Sequence, residues 1–64
     1  MVYDNVKRIA KSKGMTIHAL ESKAGLANGI IGKWRHSSPM LANLEKVAKA
    51  LDVSIETLIR KEEK

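Results

Sequence analysis

His36, Ser37 and Ser38 are consecutive and supply the residue types of a general base and a nucleophile. Adjacency along a chain is not triad geometry, in which the partners converge in defined hydrogen-bonding positions. No carboxylate pair, glycine-rich phosphate loop or metal-ligand spacing accompanies them. His18 and His36 cannot fill a closed four-ligand site, and there is no cysteine to join them. Both histidines read as polar surface residues. Met1 reads as the start residue, and Met15 and Met40 as gap fillers. The expectation is a protein that is not an enzyme, with no metal and no cofactor. The lack of cysteine also suits a reducing, cytoplasmic setting.

The chemistry that remains is that of charge. The net charge is +5, and its distribution is uneven. Residues 1–13 hold Lys7, Arg8, Lys11 and Lys13 against Asp4, and residues 14–40 hold Lys23, Lys33 and Arg35 against Glu21. Residues 41–64 hold five cations and five carboxylates. The whole excess therefore lies in the first forty residues. A basic half on a small domain points to a polyanion, nucleic acid first and an anionic membrane second. A solvated helix face accounts for the same charge, so the spacing of the apolar residues must decide.

The elements that position these charges must be short. At 64 residues, the chain has room for one domain, residues 1–64. Its stability must come from close helix packing or from a second subunit. The apolar fraction of 44% is globular, and no apolar run approaches the roughly 20 residues of a membrane span. Val2, Val6, Ile9 and Ala10 fall at helical spacing, with Gly14 as a stop, so a first helix is expected at about residues 3–13. Thr16 is a good N-cap for a second helix that turns Leu20 and Ala24 inward and ends at Gly25. The pattern restarts with Ile31 and Trp34, and residues 36–39 break it with a polar turn. Leu41, Leu44, Val47, Ala48 and Leu51 form the longest amphipathic stripe. Ser54 caps a last short helix carrying Ile55, Leu58 and Ile59, with Arg60 and Lys61 at its dipole end and a frayed tail. No alternating run suggests a strand, so the expected class is all-α, a compact bundle of five short helices.

Two short helices about a tight glycine turn make a helix-turn-helix at about residues 16–35. Leu20, Leu26, Ile31 and Trp34 would hold the two helices at a fixed angle, leaving one face of the second free for a major groove. The matching residues are Thr16-x-x-x-Leu20, Gly25-Leu26, Ile31-x-x-Trp34 and Pro39. They continue as Leu44-x-x-Val47-Ala48-x-x-Leu51-x-Val53-Ser54-x-x-x-Leu58. In these, nearly the whole chain resembles the XRE family of Cro and lambda-repressor-like proteins.

That resemblance implies sequence-specific binding of double-stranded DNA, with residues 28–35 forming most of the recognition helix. The implied base-contacting positions are Ala27, Asn28, Gly29 and Lys33, with Ile30 and Gly32 at the margins. Asn bonds adenine bidentately and Lys reaches guanine, whereas Gly29 permits close backbone approach. Asn28 as a mere helix cap is the competing reading. Implied phosphate contacts are Thr16, Ile17, Arg35, His36, Ser37, Ser38 and Asn43, helped by the free N–H groups at residues 16–17 and 40–41. Lys11 and Lys13 read as solvent-exposed.

Three positions depart from the family pattern. Ile17 replaces the usual glutamine, leaving only its backbone N–H for a phosphate. Glu21 replaces the usual alanine, and a buried unpaired carboxylate is costly. Glu21 is therefore expected to reach the free N–H groups at the start of the third helix, with a bond to the Trp34 indole or a pair with Arg35 as alternatives. Arg35 stands where glutamate is common. Around Leu20-Glu21 and Asn28-Gly29 the chain looks similar to repressors of mobile elements of Gram-positive bacteria.

The resemblance also implies a homodimer, at least on a pseudo-palindromic operator, with the last helix as the contact. The expected role is a phage- or mobile-element-type repressor without membrane attachment. The rival role is a protein-interaction or antitoxin-type regulator on the same fold. A protein antirepressor or an absent C-terminal domain are the further partners considered.

Overall fold

The computed structural model describes residues 2–60. Among the described residues there are four α-helices, α1 (Val2–Ser12), α2 (Ile17–Ala24), α3 (Leu41–Leu51) and α4 (Ile55–Ile59). A single 3₁₀ turn, Gly32–Arg35, lies between α2 and α3. No strand occurs among the described residues.

The sequence punctuation accounts for most of these bounds. Thr16 Oγ1 accepts from the Ala19 N–H at 3.0 Å, and Ser54 Oγ accepts from the Thr57 N–H at 3.2 Å. Both satisfy donors that have no carbonyl one turn back. Gly25 takes the left-handed conformation at φ +75°, and the Leu26 N–H closes back on the Glu21 carbonyl at 2.8 Å. That six-residue closure is a Schellman end, and it needs a residue that tolerates positive φ. Asp52 ends α3 in the same manner at φ +59°, a conformation open to Asp through its short polar side chain.

The core gathers one face from each element: Val6 and Ile9 of α1, Leu20 of α2, Trp34 of the 3₁₀ turn, Leu44, Val47 and Leu51 of α3, and Leu58 of α4. Ile31, fully buried, joins them from the turn before the 3₁₀ segment. Two polar residues are buried among them, Asn5 and Glu21, each 2% exposed. Asn5 binds α4 to α1. Its Nδ2 donates to the carbonyls of Leu58 and Arg60, both at 2.7 Å, while Arg8 Nη2 donates to its Oδ1 at 3.4 Å.

Three expectations need correction. The third helix is not an α-helix over residues 28–35, and among the described residues there are four α-helices and one 3₁₀ turn rather than five helices. Gly29 sits at φ +85°, which no helix interior accommodates, so residues 28–31 form turns and the regular segment starts at Gly32. Leu26 and Ala24 turn inward as expected, half-buried and packed against the core. Leu41, placed on the α3 stripe, is 63% exposed, at the helix's first position. In the last helix, expected as the contact between copies, Leu58 is fully buried in the core, Ile55 is half-buried against it and Ile59 is 52% exposed. Met1, Lys61 and the tail expected to fray lie outside the described residues.

Candidate nucleic-acid interface

The segment between α2 and α3 is too short and too rich in glycine to hold itself. It contains Gly25, Gly29 and Gly32 within eight residues, and its only regular piece is one 3₁₀ turn. A side chain from α2 does the holding. Glu21 Oε1 accepts from the Gly29 N–H at 3.0 Å, and Oε2 accepts from the Ile31 N–H at 2.9 Å. One carboxylate thus receives two backbone donors that have no carbonyl to meet, and the charge suits the cluster of N–H dipoles. The expectation that Glu21 reaches this end of the segment is met. Among the described residues it bonds neither the Trp34 indole nor Arg35.

Because Glu21 occupies those donors, Asn28 is not needed as a cap. Its amide is exposed and makes no hydrogen bond with the described residues. Ala27, Gly29 and Lys33 are exposed as well, with Ile30 and Gly32 half-buried beside them. A Cβ built on Gly29 would meet nothing within 4 Å, so its backbone faces open space.

The residues considered for phosphate contact fall into two groups. Arg35, His36, Ser37 and Ser38 are brought together, lining a shallow depression of ≈ 310 Å³ with Val2, Trp34 and Pro39. Within it the Ser37 hydroxyl donates to the Lys33 carbonyl at 3.2 Å, so its proton is already engaged, whereas Ser38 makes no such bond. Thr16, Ile17 and Asn43 lie outside the depression, at the starts of α2 and α3. Thr16 uses an oxygen lone pair for its cap and keeps its hydroxyl proton. The start of α3 has no side-chain cap, since Met40 precedes it, and its first N–H groups stay open.

Sequence reasoning missed one neighbour of this region. Tyr3 of α1 lies under the Arg35 guanidinium, whose Cζ is 5.4 Å from the ring centroid. The only signal was composition, for Tyr3 and Trp34 are the chain's only aromatic residues, and aromatic faces attract guanidinium groups.

Known proteins share this fold. The HTH-type transcriptional regulator SinR of Bacillus licheniformis is 32% identical over 66 residues, a match covering 98% of this chain and 60% of that protein. SinR of Bacillus subtilis (strain 168) is 34% identical over 62 residues, covering 92% and 56%. The chain therefore spans a little over half the length of these curated relatives. The solved N-terminal DNA-binding domain of Bacillus subtilis SinR superposes with a TM-score of 0.89 at 31% identity, covering 100% of this chain and 97% of that one. SinR in a crystal structure with DNA, described there as the master regulator for biofilm formation, superposes with a TM-score of 0.83 at 35% identity, covering 92% and 98%. The family of Cro/C1-type helix-turn-helix DNA-binding domains matches residues 5–64, and to that family the chain belongs.

Proposed function

We propose that this chain binds double-stranded DNA sequence-specifically and regulates transcription as a repressor of phage or mobile-element type. The observation that carries the reading is the pinned turn. Glu21 fixes residues 29–31 and leaves Asn28 and Lys33 exposed, without competing partners among the described residues. Asn28 would read adenine and Lys33 guanine, with Ala27 and Gly29 allowing close approach to the base edges. Thr16, the Ile17 N–H, Arg35, His36, Ser37, Ser38 and Asn43 would set the register on phosphates, Ser37 only if its hydroxyl leaves Lys33. The open start of α3, an eleven-residue helix, adds N–H donors to that set. SinR, similar over nearly this whole chain, has been crystallised with DNA, which supports the same reading.

A homodimer on a pseudo-palindromic operator belongs to the proposal, as does repression by occupancy of a promoter in the cytoplasm. No described helix is long and apolar enough to cross a membrane. A second reading, a protein-interaction or antitoxin-type regulator, is favoured by one observation. Met40 and Leu41 are adjacent and 70% and 63% exposed. An antirepressor or a further C-terminal domain would be candidate occupants of such a surface.

Selection from a random duplex pool at physiological salt tests the first reading. Enrichment of two short half-sites one helical turn apart supports a dimeric sequence-specific regulator. No enrichment, with binding lost steeply as salt rises, leaves phosphate attraction alone and overturns specificity. On the enriched site, Lys33→Ala is expected to weaken binding by about 1–3 kcal/mol and to relax base choice at one position. Equal loss on every sequence would reassign Lys33 to a phosphate.

A further inference from the structure

Arg35 is exposed, yet its guanidinium is restrained from several directions. Its Cζ lies over the Tyr3 ring at 5.4 Å, and its Nε–H donates to the Gly32 carbonyl at 3.1 Å. Its Nη2 passes over Gly32, 4.0 Å from the place a Cβ would occupy. The two terminal amino groups keep donors that no described residue takes. An arginine on a surface ordinarily loses much rotamer freedom when it grips an anion, and holding the fork in advance reduces that loss. Tyr3 is itself half-buried against the core, so the ring is a fixed platform. The depression that Arg35 helps to line also carries the His36 imidazole and the Ser37 and Ser38 hydroxyls, a chemistry that suits a phosphate oxygen.

We propose that Tyr3, outside the helix-turn-helix, is a positioning residue that holds the Arg35 guanidinium ready for a backbone phosphate of duplex DNA. The proposal rests on the DNA reading above. It differs from that reading in assigning part of the affinity to a residue of α1 that touches no DNA.

Phosphate contacts are independent of sequence, so a labelled mixed-sequence duplex serves as the probe, titrated by fluorescence anisotropy at several salt concentrations. Arg35→Ala is expected to lower the steepness of the salt dependence by about one unit of the log–log slope. Tyr3→Leu is expected to weaken binding about two- to fivefold with the slope kept, and Tyr3→Phe to match the native chain. In the Arg35→Ala background, Tyr3→Leu is expected to cause no further loss. An equal loss in both backgrounds would overturn the proposal, since the ring would then act through the fold and not through Arg35. An unchanged slope in Arg35→Ala would also overturn it, by removing Arg35 from the phosphates. Failure of the native chain to bind the duplex at any salt would instead sink the DNA reading itself. If Tyr3→Leu fails to fold, Arg35→Lys supplies the test. It keeps the charge but loses the planar stack and the Nε bond, so the same fold-loss at an unchanged slope is expected, and native affinity would overturn the proposal.

Discussion

Glu21→Ala is expected to destabilise the domain by about 2–4 kcal/mol, the largest loss from any single side chain outside the apolar core. The carboxylate accepts from Gly29 and Ile31 at 3.0 and 2.9 Å, and the second of these bonds is buried. Alanine would strand two backbone N–H groups and open a gap beneath the turn. Each hydrogen bond to a charged group contributes roughly 1.5–3 kcal/mol, offset by relief of the carboxylate's desolvation. A domain of this length has roughly 3–10 kcal/mol of stability in all, so a large share of that stability is expected to be lost. Urea titration followed by circular dichroism measures it. Glu21→Gln keeps one acceptor but turns an amide donor toward an N–H, and its loss should fall between alanine and native. A gain in stability for Glu21→Ala would mean that desolvation outweighs both bonds, and the account of this turn would have to be abandoned.

The second large effect is expected at Asn5. One amide nitrogen donates to the carbonyls of Leu58 and Arg60 at 2.7 Å each, closing the end of a helix only five residues long. So short a helix has no stability of its own. Asn5→Ala should cost about 2–3 kcal/mol, and Asn5→Asp more, because a carboxylate would face two carbonyl oxygens. Hydrogen exchange gives the local signature. Amides of α4 should lose protection first in Asn5→Ala, while those of α3 keep theirs until global unfolding. Equal loss across α1, α3 and α4 would show that Asn5 is simply a core-packing residue.

These two residues also mark how far the sequence could be read. Helix ends at Gly14, Gly25 and Ser54 were legible because capping chemistry is local, set by a residue and its neighbours within one turn. Glu21 was legible as an anomaly, a carboxylate where a small residue fits, and its only cheap solution was a set of free N–H groups nearby. The failure of residues 28–31 to form an α-helix was harder to see, since Ile31 and Trp34 kept helical spacing while Gly29 took positive φ. Asn5 was invisible. It stands among apolar neighbours on α1, and its partners lie 53 and 55 residues away, beyond the reach of any periodicity. Tyr3 and Arg35 meet only because α1 packs against the 3₁₀ turn, a tertiary event that spacing does not encode. The exposed side chains of Asn28 and Lys33 follow from local pattern, but their proposed use on DNA rests on their chemistry and on the family.

The two polar anchors differ also in when they can form. The Glu21 bonds close loops of 8 and 10 residues, whereas the Asn5 bonds close 53 and 55. Closing the longer loop costs about 1.5 kcal/mol more chain entropy, so the Glu21 turn is expected to form early in folding and the Asn5 clasp late, an order that φ-values at the two positions would check. Loss of Glu21 should then slow folding, while loss of Asn5 should leave the folding rate alone and hasten unfolding, which stopped-flow chevrons of the two variants would measure. On this expectation the α2–turn unit assembles before the chain is shut, and local opening should begin at the seam between α1 and α4.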